Sequence, residues 1–429
     1  MSKYGANGDD DDRPEPPPPP PDRGRYRREI LKQRIREGSI AKAPAGYLYH
    51  PGNLLVSVRD QGVVASRLKT LGLTPMVAGI TSYMVAHLHV ESEKTVPELM
   101  AFLRHPDPRS GRIPLLAPNH ILAGAQGHIM AEGGGPYDFA VPAPPPEFAK
   151  PGEPGRITVG ILDTGLSLLR QKPENPFLAG VAVEDPVNDN DRPLSGGRLN
   201  DESGHGTFVT GVVLQQAPRA RVVVHKALDN EGFGRETDVR DALIEFVAKE
   251  KPDILNLSFG GHADHEAPLL ALGAAISALD PSIVVVAAAG NQAQSMPFWP
   301  AAQKRVIGVG ALDRARARAK AGGPAPSDYS NFGWWVDAWA LGKWVSTFFT
   351  NDDAPPVTLA NGQVVEGPRS FKGWAQWEGT SFATAAVCGA IAALAEDATI
   401  TPRQAAFELT EAAGVARVPP NQGSGAIVA

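Results

Sequence analysis

The sequence predicts an α/β protein built on a doubly wound, mostly parallel sheet and preceded by a small α+β domain. Beyond residue 154, apolar runs of strand length alternate with longer segments of helical spacing. Strands that are apolar on both faces are typical of a parallel sheet covered by helices on either side. Before residue 126, three strand patterns are separated by two helical patterns, which indicates a separate, smaller unit.

Length and composition exclude several classes of protein. The 429 residues allow two or three domains, and 42% hydrophobic residues is typical of a globular chain. A formal charge of −6 gives no overall basic field, so we expect neither nucleic acid nor membrane as a partner. The one cysteine, Cys388, excludes an intrachain disulfide. Because we find no signal segment and no long apolar run, we expect a cytoplasmic protein.

The N-terminal segment, residues 1–46, is predicted to be a disordered tail. Four aspartates at 9–12 lead into six prolines at 16–21, a composition that cannot pack a core. A basic stretch follows, Arg23 to Arg36, with helical spacing and one apolar side. It would either dock on an acidic surface or remain a solvated helix.

Residues 47–125 are predicted to form the small α+β domain. Its strands are Leu54–Arg59, Ser82–Val90 and Leu115–Ala123, and its helices are Val63–Leu71 and Val96–Arg104. Residues 126–153 are rich in glycine and proline, so we expect an exposed linker there.

Residues 154–429 are predicted to form the α/β domain. The strands are Ile157–Leu162, Arg221–Lys226, Ile254–Ser258, Ile283–Ala289 and Arg305–Gly310. The helices are His205–Gln215, Thr237–Lys249, Ala267–Leu279 and Thr380–Glu396. Ligands of open parallel sheets bind at the carboxyl ends of the strands, which makes the polar residues there candidates for function.

Three motifs place reactive side chains at such element ends. Asp163 ends a buried strand, His205 stands between two glycines at the start of a helix, and Ser381 opens a long helix of small residues. Taken singly, each has a structural explanation as a helix cap or a buried histidine. A serine nucleophile, however, needs a base to accept its proton, and the base needs a carboxylate to orient it. Together the motifs supply one group of each kind.

The order Asp163, His205, Ser381, each flanked by glycine, resembles the subtilisin-like serine peptidases (subtilases) from about Ile157 to the C-terminus. The resemblance implies a subtilisin-like fold and peptide-bond hydrolysis, with Ser381 attacking, His205 acting as base and Asp163 orienting it. Asn291 is similar to the family's oxyanion-hole asparagine, whose amide donates to the tetrahedral intermediate. A sedolisin-type peptidase would carry a glutamate and an aspartate in place of His205 and Asn291. A catalytically silent binding protein on the same fold is the alternative from another class.

Two further segments resemble the walls of the family's substrate groove. The candidate substrate-binding residues are Ser258, Phe259, Gly260, Gly261, Ala288 and Gly290. These walls are small and apolar, and the loop from Gln292 to Gln303 has no acidic residue, which predicts cleavage after apolar or aromatic residues. The chain departs from the family in Leu341, where proline is usual, and in lacking the usual proline after Ser381. These departures affect substrate fit rather than the triad.

The small domain resembles the inhibitory propeptide of subtilases, with a ferredoxin-like βαββαβ order and a terminal strand that contains Pro118-Asn119. The resemblance implies a zymogen whose own N-terminal domain is an intramolecular inhibitor, cut off between Ala125 and Tyr137. There are two alternatives: the domain is an unrelated adaptor, or it is never cut and remains as a permanent gate over the active site.

No cofactor or metal is assigned. Subtilases often bind structural calcium, and the acidic stretch from Glu184 to Asp191 offers oxygen ligands. It lacks a recognisable calcium-loop spacing, so a solvated acidic loop is the simpler interpretation.

Overall fold

The computed structural model describes residues 25–80, 84–124, 140–146, 155–167, 178, 180–183, 202–313, 325–354, 357–358, 364–366, 369–412, 414–418 and 425–428. Up to residue 124 the elements are α1 (Arg25–Arg36), β1 (Ala41–Lys42), β2 (Leu48–Ser57), α2 (Gln61–Thr70), β3 (Met76–Ile80), β4 (Val85–His89), α3 (Val96–Leu103) and β5 (Leu116–Gly124). A short 3-10 turn, Val58–Asp60, leads into α2.

The remaining elements belong to the larger domain and its connection. They are β6 (Val141–Pro142), β7 (Thr158–Asp163), β8 (Ala182–Val183), α4 (His205–Gln216), β9 (Arg221–Lys226), β10 (Phe233–Arg235), α5 (Glu236–Glu250), β11 (Ile254–Leu257), β12 (Phe259–Gly260), α6 (Leu270–Ala278), β13 (Val284–Ala288), β14 (Val306–Asp313), β15 (Ala325–Pro326), β16 (Ala338–Leu341), β17 (Lys343–Ala354), β18 (Val357–Thr358), β19 (Val364–Glu366), β20 (Arg369–Glu378), α7 (Thr380–Asp397), α8 (Pro402–Thr410) and β21 (Ala426–Ile427).

The larger domain is organised around a sheet of strand order β21-β16-β14-β13-β11-β7-β9-β8, in which all of these pairs are parallel. Helices α4 and α7 pack one face, through side chains such as Phe208 and Ile391. Helices α5 and α6 pack the other face, through side chains such as Phe246 and Ile276. Because both faces are covered, the strands are apolar throughout, which is why the sequence showed no alternation.

The smaller domain is an antiparallel sheet of order β5-β2-β4-β3, with α2 and α3 packed on it. The chain order is βαββαβ. Thr95 and Glu98 form a reciprocal capping box at the start of α3, so the local sequence determines where that helix begins. Strand β3 was not predicted, because Met76 and Val77 are exposed (57% and 52%) and the segment lacks a buried, alternating face.

The predicted disordered tail, residues 1–46, is wrong for residues 25–46, whereas residues 1–24 lie outside the described part of the chain. Helix α1 docks on the larger domain of its own chain. Leu31 is buried with Phe233. Arg34 forms ion pairs with Asp229 and Glu231. The Arg34 guanidinium also lies 4.9 Å from the centroid of the Phe233 ring. The basic helix therefore has an acidic partner that no local pattern reveals.

The predicted linker, residues 126–153, is partly built into a sheet. Ala140 is buried, and β6 pairs antiparallel with β20. The expectation of an exposed segment is wrong at this point, because the backbone of Val141 and Pro142 extends a neighbouring hairpin. Residues 125–139 and 147–154 lie outside the described residues.

Within the described ranges, no single helix has the length and hydropathy of a membrane span; α7 and α8 reach them only as a pair bent by 119°.

Docking of α1 can be tested by replacing Leu31 with aspartate. Leu31 packs with Ile121 and Phe233, and loss of its apolar burial should weaken docking by about 2 kcal/mol. Amide hydrogen exchange across residues 29–40 should therefore become at least about tenfold faster. Ile35→Asp is the matched control, because Ile35 is 38% exposed on the same helix. Equal protection in the two variants would contradict docking through Leu31.

Candidate active site

The first pair of predicted residues meets at the carboxyl edge of the sheet. Asp163 ends β7, His205 begins α4, and His205 Nδ1 lies 2.7 Å from Asp163 Oδ1 with both side chains fully buried. The backbone N–H of Thr164 also donates to Oδ1 (2.7 Å). A carboxylate can only accept, so Nδ1 carries the proton and the neutral ring presents Nε2 as an acceptor. This is the tautomer that a general base needs.

The glycines that flank His205 have separate structural reasons. Gly204 has a φ of +84°, a left-handed conformation that favours glycine at the start of α4. A Cβ at Gly206 would lie 2.2 Å from the carbonyl oxygen of Gly165, so only glycine allows α4 to approach the loop after β7. The close approach brings His205 to Asp163.

Ser381 lies in the first turn of α7, fully buried. Its hydroxyl donates to the carbonyl oxygen of Ser258 (3.2 Å), and the Ser258 hydroxyl lies 3.0 Å from the carbonyl oxygen of Ser381. The His205 ring packs against the ring of Phe382, the next residue of α7, with centroids 5.4 Å apart. The structure thus brings Asp163, His205 and the start of the Ser381 helix together.

Asn291 is held beside the start of the Ser381 helix by its side-chain carbonyl oxygen. Its Oδ1 accepts from the backbone N–H of Thr380 (3.0 Å) and from the Thr380 hydroxyl (2.8 Å). A backbone N–H can only donate, so this atom must be the oxygen, and the Nδ2 amide faces away from Thr380. Among the described residues, Nδ2 has no hydrogen-bond partner. Asn291 is thus bonded to Thr380, the residue that precedes Ser381, and presents its amide as a hydrogen-bond donor there.

The predicted substrate groove is occupied by β5, the last strand of the smaller domain. On one side, Gly124 and Ala123 pair with Phe259 and Gly260 of β12. On the other side, residues 121–123 pair with β10. The strand is therefore the middle of a three-stranded antiparallel arrangement made from both domains.

The other predicted groove residues have different positions. Gly261 does not pair with β5; its backbone forms a reciprocal bridge with Trp299, with N···O distances of 2.8 and 2.9 Å. Ala288 is fully buried at the end of β13. Gly290, two residues later, has a φ of +92°. The Phe259 side chain is also fully buried, so it contacts the core rather than a substrate.

Polar contacts between the domains were missed by sequence reasoning. Arg104 pairs with Asp264 (2.5 Å), and His120 bonds Glu236 (2.8 Å) with both side chains fully buried. Burial alone would raise the pKa of Asp264, but the hydrogen bonds and charge of Arg104 hold that pKa below its usual value. These partners are 116 to 160 residues apart, so no local motif could have revealed them.

Asn119, which the sequence marked only through its Pro-Asn strand, completes this interface. Its carbonyl accepts from the backbone N–H of Thr237 (3.2 Å), and its amide donates to the Thr237 hydroxyl (3.0 Å). Thr237 is in the first turn of α5, so the smaller domain satisfies an N–H of that helix.

Cys388 is buried two turns beyond Ser381, and burial raises the pKa of its thiol to about 12. The thiol is therefore not a nucleophile at neutral pH.

Among the described residues there is no group of three or more His, Cys, Asp or Glu side chains placed to hold a metal. The acidic stretch from Glu184 to Asp191 lies outside the described residues, so its interpretation as a solvated loop rather than a calcium site stays a prediction.

A sequence profile of the subtilase family matches residues 155–425, more than half of the chain, and the chain therefore belongs to that family. A thermophilic serine proteinase of Bacillus sp. (strain AK1) is 32% identical over 194 residues, which is 43% of either chain. Thermitase of Thermoactinomyces vulgaris is 30% identical over 206 residues, 45% of this chain and 66% of thermitase. The chain spans about half the length of these curated relatives.

Among solved structures, fervidolysin from Fervidobacterium pennivorans, a keratinolytic enzyme related to subtilisin, matches with a TM-score of 0.56 at 18% identity. The match covers 89% of this chain and 60% of fervidolysin. Together with the parallel sheet, this likeness confirms the predicted subtilisin-like α/β fold.

Proposed function

We propose that this subtilase is a serine endopeptidase that hydrolyses peptide bonds of peptide or protein substrates through an acyl-enzyme. The observation that supports it best is the buried Asp163–His205 pair beside Ser381, at the end of a groove that already binds an extended strand. An extended peptide could pair with the same strand edges and so bring one of its carbonyl groups to Ser381.

The proposed reaction uses only groups of this chain and water. Ser381 Oγ attacks the scissile carbonyl carbon while His205 Nε2 takes the hydroxyl proton, and Asp163 holds the imidazolium that forms. Collapse of the tetrahedral intermediate breaks the C–N bond, and His205 gives its proton to the leaving amine. Water then hydrolyses the acyl-enzyme by the same route. In the structure the Ser381 hydroxyl bonds Ser258, so it must turn toward His205 when a substrate carbonyl enters.

The triad is tested by a double-mutant cycle. Ser381→Ala and His205→Ala should each lower kcat on a chromogenic peptide by about 10⁶-fold, and the double variant should lose little more, because base and nucleophile act as a unit. Labelling by a fluorophosphonate probe should disappear with Ser381→Ala. Additive losses would contradict the assignment, and a wild type that neither hydrolyses nor labels would favour the catalytically silent binding protein.

Asn291 is proposed to stabilise the oxyanion through Nδ2. Asn291→Leu should lower kcat by about 10²–10³-fold and leave KM nearly unchanged, since the hydrogen bond forms fully only in the transition state. Steady-state kinetics measures the loss of kcat, and a thermal melt of each protein shows whether the variant is still folded. A change confined to KM would mean that Asn291 binds the ground state instead.

The smaller domain is proposed to be an intramolecular inhibitor that makes the chain a zymogen. Its strand β5 fills the groove by backbone pairing, and its register supports a product-like position. Residues 259 and 260 pair with 124 and 123, so one further step would set Ala125 opposite Ser258, whose carbonyl bonds the nucleophile. Ala125 itself, and the whole predicted interval to Tyr137, lie outside the described residues.

Self-processing is tested by intact mass after expression of the wild type and of Ser381→Ala. We expect the wild type to be cut after Ala125 and the variant to remain full length, because only the former has a nucleophile. If both stay full length while the wild type hydrolyses peptides, the domain is a permanent gate. A cut in both proteins would show processing by another peptidase.

A further inference from the structure

One aromatic ring occupies the space between the two predicted walls of the substrate pocket. A Cβ built on Gly260 would lie 2.5 Å from Cε1 of Phe298, and a Cβ built on Gly290 would lie 3.1 Å from its Cγ. The ring is thus in contact with both wall segments, and Phe298 is only 4% exposed.

The ring is held in place by its surroundings. The reciprocal bridge between Gly261 and Trp299 fixes the backbone next to Phe298, and the N–H of Ala302 donates to the Phe298 carbonyl (2.9 Å). The His262 ring meets the Phe298 ring edge to face, with centroids 5.5 Å apart. Burial lowers the pKa of His262, so this neighbour is neutral at pH 7. A ring packed on all these sides does not leave the pocket at low cost.

The chain's own groove-bound strand shows the complementary pattern. Leu122 is fully buried in an apolar cluster of the larger domain, whereas Ala123 and Gly124, nearer to the nucleophile, are small. In the sequence the next residue, Ala125, is small as well. The groove therefore accepts a large apolar side chain at the fourth residue before the proposed cut.

We propose that Phe298 is a specificity-determining residue: it closes the pocket for the residue whose carbonyl is attacked, and restricts that residue to alanine, glycine or serine. The inference rests on the proposed function and names its substrate class. It narrows the expectation of cleavage after apolar or aromatic residues to small ones, because the Phe298 ring occupies the space between the walls at Gly260 and Gly290.

The experiment compares two chromogenic peptides, Leu-Ala-Gly-Ala, which copies residues 122–125, and Leu-Ala-Gly-Phe. Rates are normalised to the active sites titrated by a fluorophosphonate after labelling has reached its plateau. We expect kcat/KM of the wild type to favour the alanine peptide by about 100-fold, because a closed apolar pocket rejects a large side chain strongly. In Phe298→Ala this ratio should fall at least about tenfold, through faster cleavage of the phenylalanine peptide.

Phe407→Ala is the matched control, because Phe407 is 55% exposed on α8, at the amino end of the sheet strands and away from Ser381. Its ratio should equal that of the wild type. If Phe298→Ala does not fold, Phe298→Leu should lower the ratio in part. A wild-type ratio near one, or variants that leave the ratio unchanged, would overturn the inference while the hydrolysis still supports a serine peptidase. Absence of both hydrolysis and labelling would count against the proposed function instead.

Discussion

The buried hydrogen bond between Asp163 and His205 is the constraint on which the surrounding architecture depends. A carboxylate without solvent needs donors, and here the imidazole and the Thr164 N–H both donate to Oδ1, whereas Oδ2 has no hydrogen-bond partner among the described residues. The rings of Trp377 and Phe382 pack on the imidazole and keep water from its faces. Trp377 belongs to β20, which pairs with β17, so a strand pair outside the parallel sheet shapes the environment of the His205 ring.

The groove recognises its occupant mainly through backbone hydrogen bonds. Strands β10 and β12 each pair with β5, and any extended peptide can make the same bonds. In the proposed zymogen, β5 and a substrate would therefore compete for the same edges, and selectivity would depend on side-chain pockets. The burial of Leu122 and the position of Phe298 support pockets of different size along the groove in that proposal.

Sequence reasoning found what local patterns encode. The strand that ends at Asp163, the helix that begins at His205 and the helix that contains Ser381 follow from apolar runs and glycine positions, and the parallel sheet brings their ends to one edge. It could not find the docking of α1, because Arg34 and its partner Asp229 are 195 residues apart. It could not place Phe298 against the predicted walls either, since Phe298 lies in neither wall segment and the bridge between Gly261 and Trp299 helps to bring it there.

The smaller domain is held by buried polar bonds as well as by apolar clusters such as Leu55 and Ala117 with Ala271. Asn119 satisfies an N–H of α5, and His120 bonds Glu236, whose other oxygen accepts from the N–H groups of Ala271 and Leu272 at the start of α6. These polar groups can bond water once the strand leaves, and Glu236 still caps α6 by itself. An interface built this way is specific while it is closed. In the proposed zymogen, release of the domain would leave these polar groups solvated but would also expose the apolar cluster that Leu55, Val85 and Ala117 form with Ala267 and Ala271.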